Sequence, residues 1–545
     1  MTMTNIRAAL AGDPTVGAGN VLCSLARHGA APDGPGLTFD TPVDMYPAWH
    51  PMTLGRLTER VMARAAWLHA HGVRPRDPVA VYTTNSADVI LNFLAVTWLG
   101  AIPALLNGNV AGDIAEIWIG RLRAVGVLCD EEHAARLRAT NLETPILGLV
   151  SEVGTGDPSA APPAYRHHGS DPISITHSSG TTGVPKAIVH SNHTLFAATR
   201  RLRLSVPVAQ GTDRVLCALP AAHTAGILAV NQALGNRAEL VFLSSQHGEP
   251  VLDAIESWRP HGVFGFAVTW AELARFDLTK RDLSSVAIWF NTGDCAHEAH
   301  IRRLVAVGSR KTVTREGVVT VPGSTFIDGL GSTEMGHSAF HISHRSDTDR
   351  YNRCIGKPHL FADVAVLRPD GSPTPTGEVG WLALKSPTVM LGYWNDSVTT
   401  YRSQLAGYYI TGDLVYTDDD GNYYHMDRIS DSVDLGDGQY LYTALSEERI
   451  LAGCPDIVDC TVSAVRDGGA VVTDVMLMLT ADAAQDDPTR EDRVRAALGP
   501  HVAATVRHVV VVDATDLPTG ATGKIRKLVL RDRYVAGTPD REVAS

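Results

Sequence analysis

Long uninterrupted apolar segments are missing from this sequence of 545 residues. The most apolar run, 90–106, is interrupted by Asn92 and Pro103 and is short beside the roughly 20 apolar residues that a membrane-spanning helix needs. No N-terminal segment has the charged and then apolar pattern of a signal peptide. These absences predict a cytoplasmic protein without a membrane span.

Cysteine and positive charge are also limited. The seven cysteines are odd in number and widely scattered, which argues against a disulfide framework and fits a reducing compartment. The formal net charge of −12 argues against general nucleic-acid binding. Only seven of the 47 basic residues are lysines, so a lysine at the end of a glycine-containing loop is a candidate for a specific point charge.

Three common motifs are absent from the sequence. No segment has the spacing of the usual phosphate loop, in which Gly, four residues and Gly-Lys-Ser/Thr follow one another. Neither the Gly-x-Gly-x-x-Gly fingerprint of dinucleotide binding nor the Gly-x-Ser-x-Gly elbow of hydrolases is present. The sequence therefore does not predict a member of those classes.

The segment 178–186 nevertheless has the composition of a phosphate-binding loop. It reads Ser178-Ser179-Gly180-Thr181-Thr182-Gly183-Val184-Pro185-Lys186. Glycines let the backbone N–H groups converge on an anion, and the hydroxyl groups and the ammonium add further donors. A buried strand at 173–176 and renewed apolar character at 187–189 place this loop between core elements. Without further motifs, a polar surface loop would explain the same composition.

The hydrophobic pattern predicts an α/β architecture with parallel sheets. A helical pattern at 53–71 is followed by a strand-like segment at 78–82 and a second helical pattern at 87–99. The first 35 residues are rich in Gly, Pro and Ala and are expected to form a loosely held lead-in. The Val- and Thr-rich segment 311–323 predicts a small hairpin.

The loop at 178–186 resembles the signature loop of the adenylate-forming superfamily, which includes acyl-CoA synthetases, luciferases and peptide-synthetase adenylation domains. Four further segments resemble other motifs of that family, in the family's order: 328–334 (DGLGSTE), 409–413 (YITGD), 427–431 (DRISD) and 517–524 (LPTGATGK). The resemblance spans roughly residues 50 to 535. It implies a large N-terminal α/β domain, 1–430, and a small mobile α+β domain, 431–545, that carries the catalytic lysine.

The resemblance also implies roles for individual residues. Glu334 would hold Mg²⁺, Asp413 the ribose hydroxyls, and Asp328 the adenine amino group. Thr333 and Lys524 would act as catalytic donors to the α-phosphate and the incoming carboxylate, and Asp431 would be the hinge between the domains. The implied ATP-binding residues are Ser178, Ser179, Gly180, Thr181, Thr182, Gly183, Lys186, Asp294, Asp328, Leu330, Gly331, Ser332, Thr333, Asp413, Arg428 and Lys524.

A small-molecule carboxylic acid is the substrate that the resemblance implies, and the predicted pocket residues are small and apolar. His223 lies where many relatives place an aromatic residue or a histidine that gates the acyl pocket, and Gly226, Phe266 and Gly293 belong to the predicted pocket lining. This composition predicts a roomy cavity for a bulky hydrophobic acid. Peptide-synthetase domains place an aspartate in this region, whereas 218–229 contains no acid, so an amino-acid substrate is not expected.

The acceptor of the activated acyl group stays open at this point. The expected activity is that of an AMP-forming acyl-CoA synthetase that uses ATP, Mg²⁺ and coenzyme A. Asp434 and Asp437 lie where the family commonly has a glycine-rich turn and a nearby lysine, and they would repel the phosphates of coenzyme A. The alternatives are loading of a separate phosphopantetheine carrier protein and, in a different class, a non-catalytic adenylate-binding protein.

Overall fold

The computed structural model describes residues 3–178, 184–205, 213–315, 317–467, 469–513 and 516–520, together with residues 525, 527, 529 and 530. The α-helices within these ranges are α1 (Met3–Gly12), α2 (Val21–Arg27), α3 (Leu54–Ala70), α4 (Ser86–Trp98), α5 (Gly112–Leu122), α6 (Glu131–Arg138), α7 (Val150–Val153), α8 (Thr224–Asn236), α9 (Gly248–Trp258), α10 (Ala267–Leu273), α11 (Glu298–Val305), α12 (Ser397–Arg402), α13 (Thr443–Gly453), α14 (Arg490–Leu498) and α15 (Pro500–Ala503). A π-helical turn covers Thr199–Leu204, and 3₁₀ turns cover Pro158–Ala160 and Leu278–Lys280.

The strands in chain order are β1 (Leu37–Phe39), β2 (Pro78–Thr83), β3 (Ile102–Asn107), β4 (Gly126–Cys129), β5 (Ile146–Leu149), β6 (Pro172–His177), β7 (Ala187–Ser191), β8 (Arg214–Cys217), β9 (Glu239–Phe242), β10 (Gly262–Phe266), β11 (Ile288–Thr292), β12 (Ser309–Thr314), β13 (Gly317–Pro322), β14 (Thr325–Asp328), β15 (Phe340–His344), β16 (Cys354–Pro358), β17 (Asp363–Leu367), β18 (Gly380–Lys385), β19 (Gly392–Tyr393), β20 (Gln404–Leu405), β21 (Tyr408–Thr417), β22 (Tyr423–Arg428), β23 (Val433–Gly436), β24 (Gln439–Leu441), β25 (Ile457–Asp467), β26 (Ala470–Leu479) and β27 (Val506–Val511).

Two large sheets form the body of the molecule. One has the order β19-β7-β6-β3-β2-β4-β5, and its five strands from β6 to β5 run parallel. The other contains the parallel series β1-β9-β8-β10-β11-β14 and continues through antiparallel strands to β17. Fully buried runs such as those of β2 and β3 are typical of parallel strands that are covered on both faces. The predicted α/β architecture with parallel sheets is therefore present.

A third sheet, β25-β26-β27, has a hydrophobic core of its own, built with α13 and α14. It packs against the preceding part of the chain through α11, where His300 at 2% exposure makes a hydrogen bond to the Val458 carbonyl. The division of the chain at residue 430 into two domains stays a prediction. None of the helices within the described ranges combines the length and the apolar character required to cross a bilayer.

The N-terminal segment differs from the expectation of a loosely held lead-in. Both α1 and α2 insert apolar side chains into the largest core, among them Leu10, Val21 and Leu25, which are fully buried. The expectation was wrong because it used the overall Gly- and Pro-rich composition, whereas two short stretches within this segment form helices with a buried apolar side. The hairpin predicted at 311–323 is confirmed as the antiparallel pair of β12 and β13.

Candidate active site

A cavity of about 240 Å³ lies where the loops that carry the predicted motifs converge. Strands β8, β10, β11 and β14 are parallel neighbours, so the segments that follow them emerge at one edge of the sheet. Ser178 follows β6 in the other large sheet and reaches the same cavity. The site therefore forms between the two sheets, at the carboxyl ends of their parallel strands.

Most of the predicted site residues that the structure describes line this cavity. They are Ser178, Lys186, His223, Phe266, Gly293, Asp294, Leu330, Gly331, Ser332, Thr333, Glu334, Asp413 and Arg428. The predicted residues Ser179, Gly180, Thr181, Thr182, Gly183 and Lys524 lie outside the described residues. Asp431 lies three residues beyond Arg428, and its N–H donates to the Arg428 carbonyl at 3.0 Å. The hinge role of Asp431 stays a prediction.

Two predicted residues are not on the wall of this cavity. Gly226 lies in α8 on the side that faces the protein interior, where an added Cβ would meet the Pro220 carbonyl oxygen at 2.7 Å. Asp328 is 1% exposed, and its carboxylate accepts hydrogen bonds from the Asn291 side chain and from the N–H groups of Ala296 and Gly329. These donors would compete with the adenine amino group for the carboxylate, and the adenine role of Asp328 stays a prediction. Burial raises the pKa of Asp328 to about 6, although the donors oppose this shift.

Asp413 forms a charged cluster with Arg428 on the neighbouring strand. Its Oδ1 lies 3.2 Å from Arg428 Nη1 and 3.5 Å from His425 Nε2. Arg353 donates to His425 Nδ1 at 2.7 Å, so the proton of the neutral imidazole is on Nε2, the ring nitrogen on the side of Asp413. Although burial opposes ionisation, the Arg428 charge and the His425 contact lower the pKa of Asp413. An ionised acceptor is thereby fixed on the cavity wall.

Thr333 and His223 are joined by a hydrogen bond across the cavity. Nδ1 of His223 accepts from the Ala225 N–H at 3.1 Å and so caps the N-terminus of α8. The proton of the neutral ring is therefore on Nε2, which donates to Thr333 Oγ1 at 3.1 Å. This leaves the Thr333 hydroxyl hydrogen free to donate to a ligand oxygen. His190 donates to the Thr333 carbonyl at 2.7 Å and holds the backbone from the other side.

Lys186 and Glu334 meet at Tyr393, which the sequence reasoning did not identify. The Lys186 ammonium lies 4.9 Å from the centre of the Tyr393 ring, and the Tyr393 hydroxyl donates to Glu334 Oε1 at 3.2 Å. No group of three His, Cys, Asp or Glu side chains that could hold a metal occurs among the described residues. Mg²⁺ does not need such a cage, because it is usually held by one or two carboxylates plus phosphate oxygens. Glu334, a carboxylate on the cavity wall, fits that role.

A second cavity, of about 290 Å³, adjoins the first. The two share the lining residues Ala225, Leu228, Thr292, His337 and Ser338. The second cavity is further lined by the aromatic rings of Phe264, Phe290 and Phe340 and by Arg203, His341 and His359. Sequence reasoning missed these polar residues, because single arginines and histidines outside a motif carry no local signal.

His223→Ala is expected to lower the turnover rate about tenfold, since the hydrogen bond that orients Thr333 would be lost. The variant should also unfold more easily, by about 1 kcal/mol, because α8 loses its N-cap. His223→Asn is the matched control: asparagine caps a helix well but is too short to reach Thr333. Steady-state rates and thermal unfolding of both variants test this. Equal turnover of the Asn variant and the wild type would contradict the role of His223 in positioning Thr333.

Comparison with known proteins identifies the family of this chain. The model of the family described as AMP-binding enzyme matches residues 32–394. The chain is 45% identical to 3-aminoavenalumate diazotase from Streptomyces sp, over 97% of this chain and 98% of that protein. It is 27% identical to feruloyl-CoA synthase from Amycolatopsis sp, over 89% of this chain and 94% of that protein.

Solved structures share the fold. The anthranilate CoA ligase AuaEII in complex with anthranoyl-AMP superposes with a TM-score of 0.81 at 21% identity, covering 96% of this chain and 98% of that chain. This likeness confirms the predicted fold class.

Proposed function

Because this chain belongs to the AMP-binding enzyme family, the adenylate-forming enzymes, we propose that it uses ATP and nitrite to convert an aromatic amine into a diazonium ion. The observation that carries the proposal is the 45% identity to a diazotase over nearly the full length of both chains. The similarity to the feruloyl-CoA synthase is much lower, at 27%. This proposal departs from the acid–thiol ligase that the motifs alone favour.

The chemistry of diazotisation suits an adenylate-forming site. A nitrite oxygen attacks the α-phosphorus of ATP, pyrophosphate leaves, and a mixed anhydride of nitrite and AMP forms. The amine nitrogen then attacks the nitrite nitrogen, the N–O bond to AMP breaks, and AMP leaves as the amine loses a proton. The resulting nitrosamine tautomerises to a diazohydroxide, which takes up a proton and loses water to give the diazonium ion. Nitrite thus takes the place of the carboxylate in the family's first step.

The cavity residues have clear tasks in the first step. Asp413 would accept hydrogen bonds from the ribose hydroxyls, because an ionised carboxylate among phosphates needs neutral donors. Lys186 and Ser178 would neutralise and hold the phosphates of the leaving pyrophosphate. Thr333, whose hydroxyl accepts from His223, would donate to an α-phosphate oxygen. Glu334 would hold Mg²⁺, whose charge offsets that of the phosphates.

The second cavity would hold the aromatic amine. Its three phenylalanine rings offer an apolar lining, and Phe264 and Phe290 stack with their centres 4.7 Å apart. Aromatic side chains favour offset or edge contacts with a further ring. Because the two cavities share a wall, an amine at their boundary would lie beside the activated nitrite, and proximity itself accelerates such a transfer.

The fate of oxygen label tests the proposal. The enzyme is incubated near neutral pH with ATP, Mg²⁺, an amino-substituted aryl carboxylate and nitrite labelled with ¹⁸O. A phenolic coupling partner traps the diazonium ion as an azo dye. We expect dye that depends on enzyme and ATP, and one ¹⁸O atom in each AMP. Unlabelled AMP, or dye formation without ATP, would refute nitrite adenylation.

The second candidate is the predicted activation of a carboxylic acid and its transfer to coenzyme A. The similarity to feruloyl-CoA synthase favours it. Asp434 and Asp437 weigh against it, because both side chains are exposed on the hairpin of β23 and β24, where they would repel the phosphates of coenzyme A. In this case ¹⁸O supplied in the substrate carboxylate would appear in AMP, and a thioester would form with coenzyme A. Labelled AMP without that thioester would favour the carrier-protein alternative.

A further inference from the structure

Arg203 is the unusual feature of the second cavity. It lies in the π-helical turn Thr199–Leu204, and its guanidinium carbon lies 5.3 Å from the centre of the Phe290 ring. Within the described ranges, no carboxylate forms an ion pair with this guanidinium and no hydrogen bond from its side chain is present; the guanidinium stacks on the Phe290 ring instead. Burial lowers the pKa of Arg203, which reflects the cost of holding this charge in an apolar cavity.

The other polar side chains that line this cavity do not neutralise the positive charge of Arg203. His337 donates from Nδ1 to the Ser338 carbonyl at 2.9 Å, and burial lowers its pKa to about 4, so it is neutral near pH 7. His359 stacks on His341 at 4.6 Å, and burial lowers its pKa to about 3. Asp328 is the acidic residue that lines this cavity, and its carboxylate accepts hydrogen bonds from Asn291, Ala296 and Gly329 rather than from Arg203. A cation without a charged partner therefore faces a cavity of ligand size.

We propose that Arg203 binds the carboxylate of an amino-substituted aryl carboxylate, with the aromatic ring between Arg203 and the boundary of the two cavities. A planar guanidinium matches a carboxylate with two parallel hydrogen bonds, and it also stacks on aromatic faces, as it does on Phe290. This substrate class rests on the proposed diazotase function.

The position of Arg203 fixes the direction of the substrate. Arg203 lines the second cavity and is not among the residues that line the nucleotide cavity. A carboxylate held there points away from the phosphates, and the opposite end of the ring, with its amino group, faces Thr292 and Ser338 at the shared wall. The carboxylate then serves as an anchor and is not the group that becomes adenylated. This orientation is the reverse of the one that an acid–thiol ligase requires.

Equilibrium binding tests the anchor without any turnover. Isothermal titration calorimetry in the presence of AMP compares two probes of equal size, 3-aminocinnamate and its neutral amide, 3-aminocinnamamide. We expect wild type to bind the carboxylate at least tenfold more tightly than the amide, since hydrogen bonds to charged groups are the stronger ones. Arg203→Met should abolish this preference, and Arg203→Lys should restore part of it.

Arg201→Met is the matched control. Arg201 lies in the same turn but stacks on Phe361 at 5.9 Å and does not line the second cavity. This variant should keep the full preference for the carboxylate, and thermal unfolding of all variants reports whether they fold. A preference that persists in Arg203→Met, or its absence from wild type, would overturn the anchor.

The two experiments test the carboxylate site at Arg203 and the proposed diazotase function independently. If no diazonium ion forms and the Arg203-dependent preference is still measured, the diazotase proposal fails and the carboxylate site stands. If ¹⁸O from the substrate carboxylate appears in AMP, the carboxylate lies at the phosphates and the anchor is refuted.

Discussion

Replacing Lys524 with alanine is expected to lower nitrite-dependent ATP–pyrophosphate exchange by ~10²–10³-fold, the usual effect of removing one preorganised donor from a transition state. Lys524 ends the segment that resembles the family's lysine-bearing loop. Its ammonium would bridge the attacking oxyanion and the α-phosphate, where negative charge accumulates during the attack. The exchange assay measures formation of the adenylate alone, so it isolates this step from the later transfer to the amine.

Lys280→Ala is the control for this experiment. Lys280 is 80% exposed and pairs with Asp277 at 3.1 Å, far from any predicted motif, so its loss should leave exchange unchanged. ATP binding by calorimetry should be weakened only slightly in Lys524→Ala, since the ribose and the phosphates keep their other partners. If Lys524→Ala exchanges pyrophosphate at the wild-type rate, Lys524 is not a catalytic residue.

Asp413→Ala is expected to raise KM for ATP by about 10²–10⁴-fold. Two hydrogen bonds from the ribose hydroxyls to a charged acceptor would be lost, and each such bond contributes roughly 1.5–3 kcal/mol. Arg428 would also lose the carboxylate that lies 3.2 Å from it, leaving its charge near the ATP phosphates without a fixed position. Asp413→Asn keeps the shape and one carbonyl acceptor and should have an intermediate KM. Initial rates over a range of ATP concentrations give these values.

An ion pair formed by the turn of the same hairpin provides the matched control. Asp418 lies on the turn between β21 and β22 and pairs with Arg350 at 3.2 Å, outside the cavity. Asp418→Ala removes a comparable Asp–Arg contact and should lower the thermal unfolding midpoint without changing KM for ATP. If both variants change KM equally, the effect of Asp413 is structural and its role as the ribose acceptor is wrong.

Near pH 7 the pKa shifts keep Asp413 ionised and keep His337 and His359 neutral, as the proposed site requires. The folded pKa of Asp413 is below the unfolded value, so its ionised form contributes stability above the unfolded pKa, near 3.9, and this contribution is lost as the pH falls through the folded pKa. His337 and His359 remain neutral down to about pH 4. Arg203 is then a positive charge on the wall of the second cavity, which the proposed anionic substrate would meet.

The sequence by itself determined the fold class and the family, and most of the predicted site residues that the structure describes line one cavity. The motif at 328–334 follows a short apolar strand, and the parallel order of β11 and β14 brings this motif beside Gly293 and Asp294. Such a site can be predicted because a short segment of sequence specifies both a strand and the loop that follows it. In a parallel sheet these loops lie together at the carboxyl edge of the strands.

The sequence alone was less informative for residues whose role depends on contacts with other parts of the fold. Asp328 belongs to the matched motif, and its local pattern gave no sign that Asn291 and neighbouring N–H groups already occupy its carboxylate. Gly226 is close to His223 in sequence, but its Cβ position faces the Pro220 carbonyl and the Phe242 ring, contacts that only the packed structure shows.

Only the tertiary structure decided what lies beside the nucleotide. Arg203 is one of forty arginines and belongs to no motif, so nothing local distinguishes it. The fold brings it against Phe290, which is 87 residues further along the chain, and into the same cavity as His359. A charge becomes informative when its burial and its lack of an ion-pair partner are known, and both depend on contacts between segments distant in sequence. The local patterns therefore determined the adenylate-forming chemistry, whereas long-range packing determined the second cavity, which we propose binds the substrate.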